Sequence, residues 1–144
     1  MRALAGRRAL VTGASGGLGW YIALELARAG VDLAISGRNR SQLDRLGKEV
    51  ALLGRAVQRF PADLTSPGAA EDLAGRIEET LGPLDILVNN AGIDVASSFH
   101  DYSLAELDAI VTLDLLAPLR LTHRLLLRML PGGRPRGECL LPRE

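Results

Sequence analysis

The sequence predicts an α/β fold in which helices cover both faces of a parallel sheet. Short apolar runs alternate with segments of helical period, four of each. Gly or Gly-Pro closes most of the boundaries, and neither an internal repeat nor a linker interrupts the series. A chain of 144 residues is long enough to bury one core and fits one domain.

Each element has its own signature. Residues 8–12, RALVT, are an apolar run ending at glycines, as a buried parallel strand would. In 17–29, Leu18, Ile22 and Leu26 recur at i, i+4 and i+8 and predict the inner stripe of a first helix, closed by Gly30. Residues 31–36, VDLAIS, form the second strand. Ser41 and Asp44 resemble a cap pair for a second helix, with Leu43, Leu46, Val50 and Leu53 inward and Gly54 at its end. RAVQRF (55–60) is a third strand.

Ser66-Pro67 reads as the start of a third helix, with proline at its first position. Leu73, Ile77 and Leu81 face inward, and Gly82-Pro83 ends it. LDILVN (84–89) is the fourth strand. Ser103 and Glu106 fit a capping box that opens a long helix to about Leu130. Right-handed crossovers then give a Rossmann-type doubly wound sheet of strand order 3-2-1-4, truncated after the fourth βα unit. Residues 1–130 are expected to form this incomplete domain and residues 131–144 an irregular tail.

Composition excludes several functions. The 17 basic and 17 acidic residues cancel, so no net field favours nucleic acid or an anionic membrane. Arg120, Arg124 and Arg128 at helical spacing read as a solvated face, without the interleaved aromatics of nucleic-acid binding. No apolar run approaches the roughly 20 residues of a membrane helix. Nor does an apolar segment at the N-terminus suggest a signal peptide, so a cytoplasmic location is expected. Cys139 is the only cysteine, which excludes an internal disulfide and a cysteine-based metal site.

The chemistry-bearing stretch is TGASGGLG, Thr12 to Gly19, between the first strand and first helix. Gly13 permits a sharp turn, Gly17 lets a pyrophosphate approach the backbone, and Gly19 allows close packing of helix on sheet. The N–H groups and partial positive charge of the helix N-terminus favour a phosphate there. The spacing is G-x-x-x-G-x-G, which in isolation is equally a plain βα turn. Two further segments accompany it: Asp63 and Leu64 in PADLT after strand three, and Asn89, Asn90, Ala91 and Gly92 at the end of strand four.

With these three motifs in order, the chain resembles the short-chain dehydrogenase/reductase family over about residues 6–130. The resemblance implies an NAD(P)-binding Rossmann sheet and hydride transfer between nicotinamide and a carbonyl or alcohol carbon. It places Thr12, Gly13, Ser15, Gly17, Leu18 and Gly19 around the pyrophosphate, and Asp63 with Leu64 at the adenine edge. Asn89 would support the sheet, while Asn90, Ala91 and Gly92 line the ribose and nicotinamide side.

Strand two ends at Gly37, where an NAD-preferring site usually carries an acid, and Arg38 follows with a fork suited to a 2′-phosphate. NADP(H) is therefore expected over NAD(H). Against it, Ser15 and Gly16 stand where NADP(H)-preferring members often carry a second basic residue.

The family's Tyr-x-x-x-Lys is missing from these residues. Tyr21 is followed four positions on by Glu25, Tyr102 by Glu106, and the only lysine, Lys48, is preceded by Asp44. Ser97, Ser98 and Ser103 lie in the wrong segment for the substrate-orienting serine. Asp114 stands where the family usually has Asn, and an acid cannot donate as an amide does. It reads mainly as a partly solvated residue beside a kink, because Pro118 has no N–H for the Asp114 carbonyl. No catalytic residue is thus assigned.

The expected function is an NADP(H)-binding, catalytically incomplete short-chain oxidoreductase. The alternatives are a non-enzymatic module that binds NADP(H) or a partner, and a non-functional remnant. Self-association is expected through the leucine-rich helix 104–130 or through the 84–89 strand edge.

Overall fold

The computed structural model describes residues 4–93 and 97–130. The strands are β1 (Arg8–Val11), β2 (Asp32–Gly37), β3 (Val57–Pro61) and β4 (Ile86–Val88), all parallel in the order β3-β2-β1-β4. Helices α1 (Gly17–Arg28), α2 (Arg40–Leu52) and α3 (Ala69–Leu81) connect them, and α4 (Leu104–Val111) and α5 (Ala117–Met129) follow β4. The expected doubly wound sheet is therefore observed. The expected irregular tail, residues 131–144, lies outside the described residues.

Alternation along each strand sorts the core into two halves. Ala9, Val11, Leu33 and Ile35 point to the α1–α2 side with Leu43, Leu46 and Val50. Leu10, Ala34 and Phe60 point to the other side, against Leu73 and Ile77 of α3 and Leu121 and Leu125 of α5.

Several boundaries and faces differ from expectation. Leu18 is 69% exposed, and α1 instead buries Gly19, Ala23, Leu24 and Ala27. Small residues win this face because they let the helix backbone sit close on the sheet, with Ile22 and Leu26 flanking the core. The cap of α2 is Asn39, whose Oδ1 accepts from Gln42 N and from Ser41 Oγ. Asp44 instead pairs with Arg59 of β3, and Leu53, just beyond the helix, is exposed. Ser66-Pro67 forms a turn before α3, and Gly68, at φ 75°, starts the helix two residues later than expected.

The long helix is interrupted. Ser103 and Glu106 make the capping box that opens α4, and the Ser103 bonds hold the Glu106 carboxyl below its ordinary pKa. Residues Thr112–Leu116 then form a π turn, in which Ala117 N reaches back to the Thr112 carbonyl. Pro118 follows at once, and a proline without an N–H accounts for a break at this point. The arginine stripe of α5 is not simply solvated. Arg120 reaches Glu71, and Arg124 and Arg128 both reach Glu78, so the stripe straps α5 to α3. The exposed Arg120–Glu71 pair is worth about 0–1 kcal/mol. Leu104, Val111, Leu115, Leu119, Leu126 and Leu127 remain exposed on α4, the π turn and α5.

At the N-terminal pole of the sheet, Asp85 accepts from Arg7 Nη1 at 2.5 Å and from Arg8 N at 2.9 Å, fixing the entry to β4. Those bonds hold its carboxyl below the usual carboxylate range.

The reassigned face of α1 is open to test by urea denaturation. Ala23→Leu should cost about 1–3 kcal/mol through overpacking, whereas Leu18→Ala should stay within about 0.5 kcal/mol. The reverse order would restore the Leu18 stripe as the inner face.

Candidate functional site

The C-terminal ends of the four strands are tied into one rim. Thr12, 1% exposed, follows directly on β1. Its Oγ1 donates to Val88 O (3.3 Å) and accepts from Asn90 N (3.0 Å) and Ala91 N (3.1 Å). The Asn90 side chain donates back to Thr12 O (3.0 Å) and Gly13 O (3.4 Å). On the other flank Ala14 N donates to Ser36 O, and Ala62 N to Gly37 O. Asn89 Nδ2 donates to Thr122 Oγ1 at 3.1 Å, tying the end of β4 to α5.

Two glycines are required by this closeness. A Cβ on Gly13, which has φ 65°, would lie 2.8 Å from Ala91 Cα. One on Gly19 would lie 2.5 Å from both Asn90 Nδ2 and Gly13 O. Gly16 and Gly17 are different, because a Cβ on either would meet nothing within 4 Å. The crest of the loop thus faces open space. Gly16 also gives α1 no side-chain cap, whereas Asn39 and Ser103 cap α2 and α4.

Beneath the crest lies a cleft of about 390 Å³, a size typical of small-ligand sites. Its wall brings together Gly13, Ser15, Gly17, Leu18, Arg38, Asp63, Leu64, Asn90, Ala91 and Gly92 of the residues expected from sequence. Thr12 and Gly19 are not on the wall; they are buried behind it and hold its shape. The cleft adds Gly16, Ser36, Gly37, Ala62 and Leu113. The sequence marks Gly37 as the position without an acid, and Ser36 and Ala62 could have been found from their place at or just past the ends of β2 and β3. Leu113 sits on the π turn, which had no sequence signal of its own beyond Pro118.

The charges on this wall are few. Thr65 donates to Asp63 Oδ1 from its hydroxyl (2.7 Å) and its N–H (3.1 Å). The hydroxyl bond is the main cause that holds the Asp63 carboxyl below its ordinary pKa, with Arg38 adding a smaller attraction. Asp63 therefore remains an ionised acceptor at neutral pH. At the other end, Gly37 admits no side chain, since a Cβ there would lie 2.5 Å from Ser15 Oγ and 2.8 Å from Ser15 Cβ. A side chain there would require Ser15 to move.

Asp114 is exposed, and its Oδ1 accepts from Ile93 N at 3.0 Å, pinning the loop that follows Gly92. A carboxylate can do this because the contact needs only an acceptor. Tyr21, 68% exposed, lies on the outer side of the glycine loop and lines no part of the cleft.

An open helix N-terminus beneath a glycine crest, at the strand ends where the sheet order reverses, is the arrangement at which doubly wound α/β layers place an anionic ligand. The comparisons with known proteins agree. The family described as short chain dehydrogenase matches residues 7–140, and the chain belongs to that family of oxidoreductases. It is 37% identical to the ketoacyl reductase HetN of Nostoc sp. over 92% of this chain and 46% of that protein. Gluconate 5-dehydrogenase of Gluconobacter oxydans is 35% identical over 91% of this chain and 51% of its own length. Among solved structures, the L-sorbose reductase of Gluconobacter frateurii, complexed with NADPH and L-sorbose, superposes with a TM-score of 0.84 at 25% identity. That match covers 90% of this chain and 50% of the reductase. The chain thus spans about half the length of the relatives it matches. Among the described residues no helix is long and apolar enough to cross a membrane, and no group of His, Cys, Asp and Glu could hold a metal.

The Thr12 hydroxyl should be separable from its methyl. Thr12→Val strands the Asn90 and Ala91 N–H groups at a cost of about 1–3 kcal/mol each. Thr12→Ser keeps their acceptor and should be much milder. Urea unfolding together with amide hydrogen exchange at residues 90 and 91 measures both, and equal effects of the two variants would remove the hydroxyl from the account.

Proposed function

We propose that this chain binds a nicotinamide dinucleotide in the cleft beneath the glycine crest, with NADP(H) preferred over NAD(H). The observation that carries the reading is the crest itself: Gly16 and Gly17 face open space above an α1 N-terminus that no side chain caps. A pyrophosphate fits there, receiving N–H groups and the positive end of the helix. Asp63 accepts from the amino edge of an adenine, with the Leu64 backbone beside it, and Ala91 and Gly92 line the ribose and nicotinamide side. Ser36 Oγ is a buried hydroxyl beside the cleft with no partner among the described residues. A polar ligand seated against Ser36 would relieve it.

The preference for NADP(H) rests on the end of β2. Gly37 leaves no carboxylate to repel a 2′-phosphate, and Arg38 supplies a planar, permanently charged fork on the cleft wall. Several structural relatives carry this cofactor, among them the sorbose reductase with NADPH and a 3-oxoacyl reductase of Agrobacterium tumefaciens with NADP bound.

The nicotinamide supplies or accepts a hydride when such a cofactor is bound. What these 144 residues contribute is binding and orientation, since they include no Tyr-x-x-x-Lys pair to pass a proton to a substrate oxygen. On this reading the chain holds the cofactor layer of a short-chain oxidoreductase and by itself turns nothing over.

Calorimetric titration tests the reading. Arg38→Ala should weaken NADPH binding by about tenfold or more while changing NADH binding little. Equal loss for both cofactors would overturn the preference, and carbonyl reduction by the purified chain would overturn the catalytic argument.

A further inference from the structure

A second groove opens on the other side of the glycine crest, with a volume of about 260 Å³. It shares Ser15, Gly16 and Gly17 with the main cleft, and its remaining walls are Trp20 and Tyr21 of α1 and Gln42 and Arg45 of α2. None of these residues is acidic. Arg45 is exposed, lies 5.9 Å from the centroid of the Trp20 ring, and reaches Gln42 Oε1 at 3.4 Å. Arg7, Arg55, Arg59 and Arg76 are each paired with a carboxylate. Arg45 has no ion-pair partner among the described residues. Its guanidinium is held instead by the face of an indole, which restrains a long side chain without neutralising it.

Ser15 is the hinge between the two grooves. It lines both, and its Oγ sits where a side chain at residue 37 would have to go. Arg38 lies on the main-cleft side of Ser15 and Arg45 on the far side. A phosphate monoester seated at Ser15 would therefore lie between two guanidinium groups presented from different elements.

We propose that Arg45, shelved on Trp20, is a specificity-determining residue that supplies the second positive charge for the 2′-phosphate of NADP(H). The inference rests on the binding site assigned in the preceding subsection and adds a residue to it. Physically, α2 contributes the cation that the glycine loop, with Ser15 and Gly16, does not carry. Gln42 serves as a positioning residue, accepting one guanidinium N–H and leaving the others for phosphate oxygens. Trp20 lowers the conformational entropy lost when that contact forms.

The test is calorimetry on the full 144-residue chain with NADPH, NADH, 2′,5′-ADP and 5′-ADP, for the wild type and for Arg45→Met and Arg45→Lys. Arg45→Met should weaken NADPH and 2′,5′-ADP by about tenfold and leave NADH and 5′-ADP within about twofold. It should also flatten the salt dependence of NADPH binding. Arg45→Lys should recover part of the loss, because charge returns without the planar fork. Because Arg45 is exposed, thermal unfolding of the ligand-free variants should match the wild type.

If the wild type prefers NADPH and Arg45→Met leaves that preference intact, this inference falls and the cleft assignment stands. Equal weakening of all four nucleotides overturns it as well, by making Arg45 a general anion contact. If the wild type binds none of them, the cleft assignment and this inference fall together.

Discussion

One buried hydroxyl organises the upper rim of this sheet. Thr12 Oγ1 donates to the last carbonyl of β4 and accepts from two backbone N–H groups of the loop beyond it, Asn90 and Ala91. The Asn90 amide returns the contact to the carbonyls of Thr12 and Gly13. Thr12 is buried and its partners are half-buried, so leaving these groups unpaired would cost more than their pairing contributes. The knot brings the β4 loop so near the glycine turn that Gly13 and Gly19 have no room for a side chain. The cleft is the space left above it.

The cleft is electrically graded. The uncapped N-terminus of α1 lies at its centre, Arg38 near the end of β2, and the hydrogen-bonded carboxylate of Asp63 past the end of β3. The proposed dinucleotide carries its phosphates and its adenine amino edge in a matching sequence. Behind this rim, the α3–α5 strap of Glu71, Glu78 and three arginines steadies the layer that carries Leu113 to the cleft and Asp114 to Ile93. The π turn is part of that delivery, since Leu113 faces the cleft while Asp114 holds Ile93 N.

Much of this was legible in the sequence, for physical reasons that differ by element. Buried parallel strands are continuous apolar runs, so β1 and β2 stood out, and the capping box of α4 was explicit in Ser103 and Glu106. Hydrophobicity misled at α1, because the face that touches the sheet is chosen by size: Gly19, Ala23 and Ala27 pack where Leu18 was expected. Ser66-Pro67 carried a helix-start pattern, yet Gly68 in a left-handed conformation sets the start of α3. Gly13 and Gly19 were readable because close backbone approach demands glycine there, whereas PADLT and NNAG were read through the family resemblance. The wall contributed by Arg45 and Trp20 was not, since a cation–π contact between two helices leaves no periodic trace.

The open crest and the rim below it are the proposed nucleotide site. Amide chemical shifts of the full chain during titration with NADPH test it most directly. Saturable shifts should concentrate in residues 13–19, 37–38, 63–64 and 90–92, with Arg8, Asp85 and Leu81 at the opposite pole unmoved. No saturable change, or changes centred on that opposite pole, would contradict it.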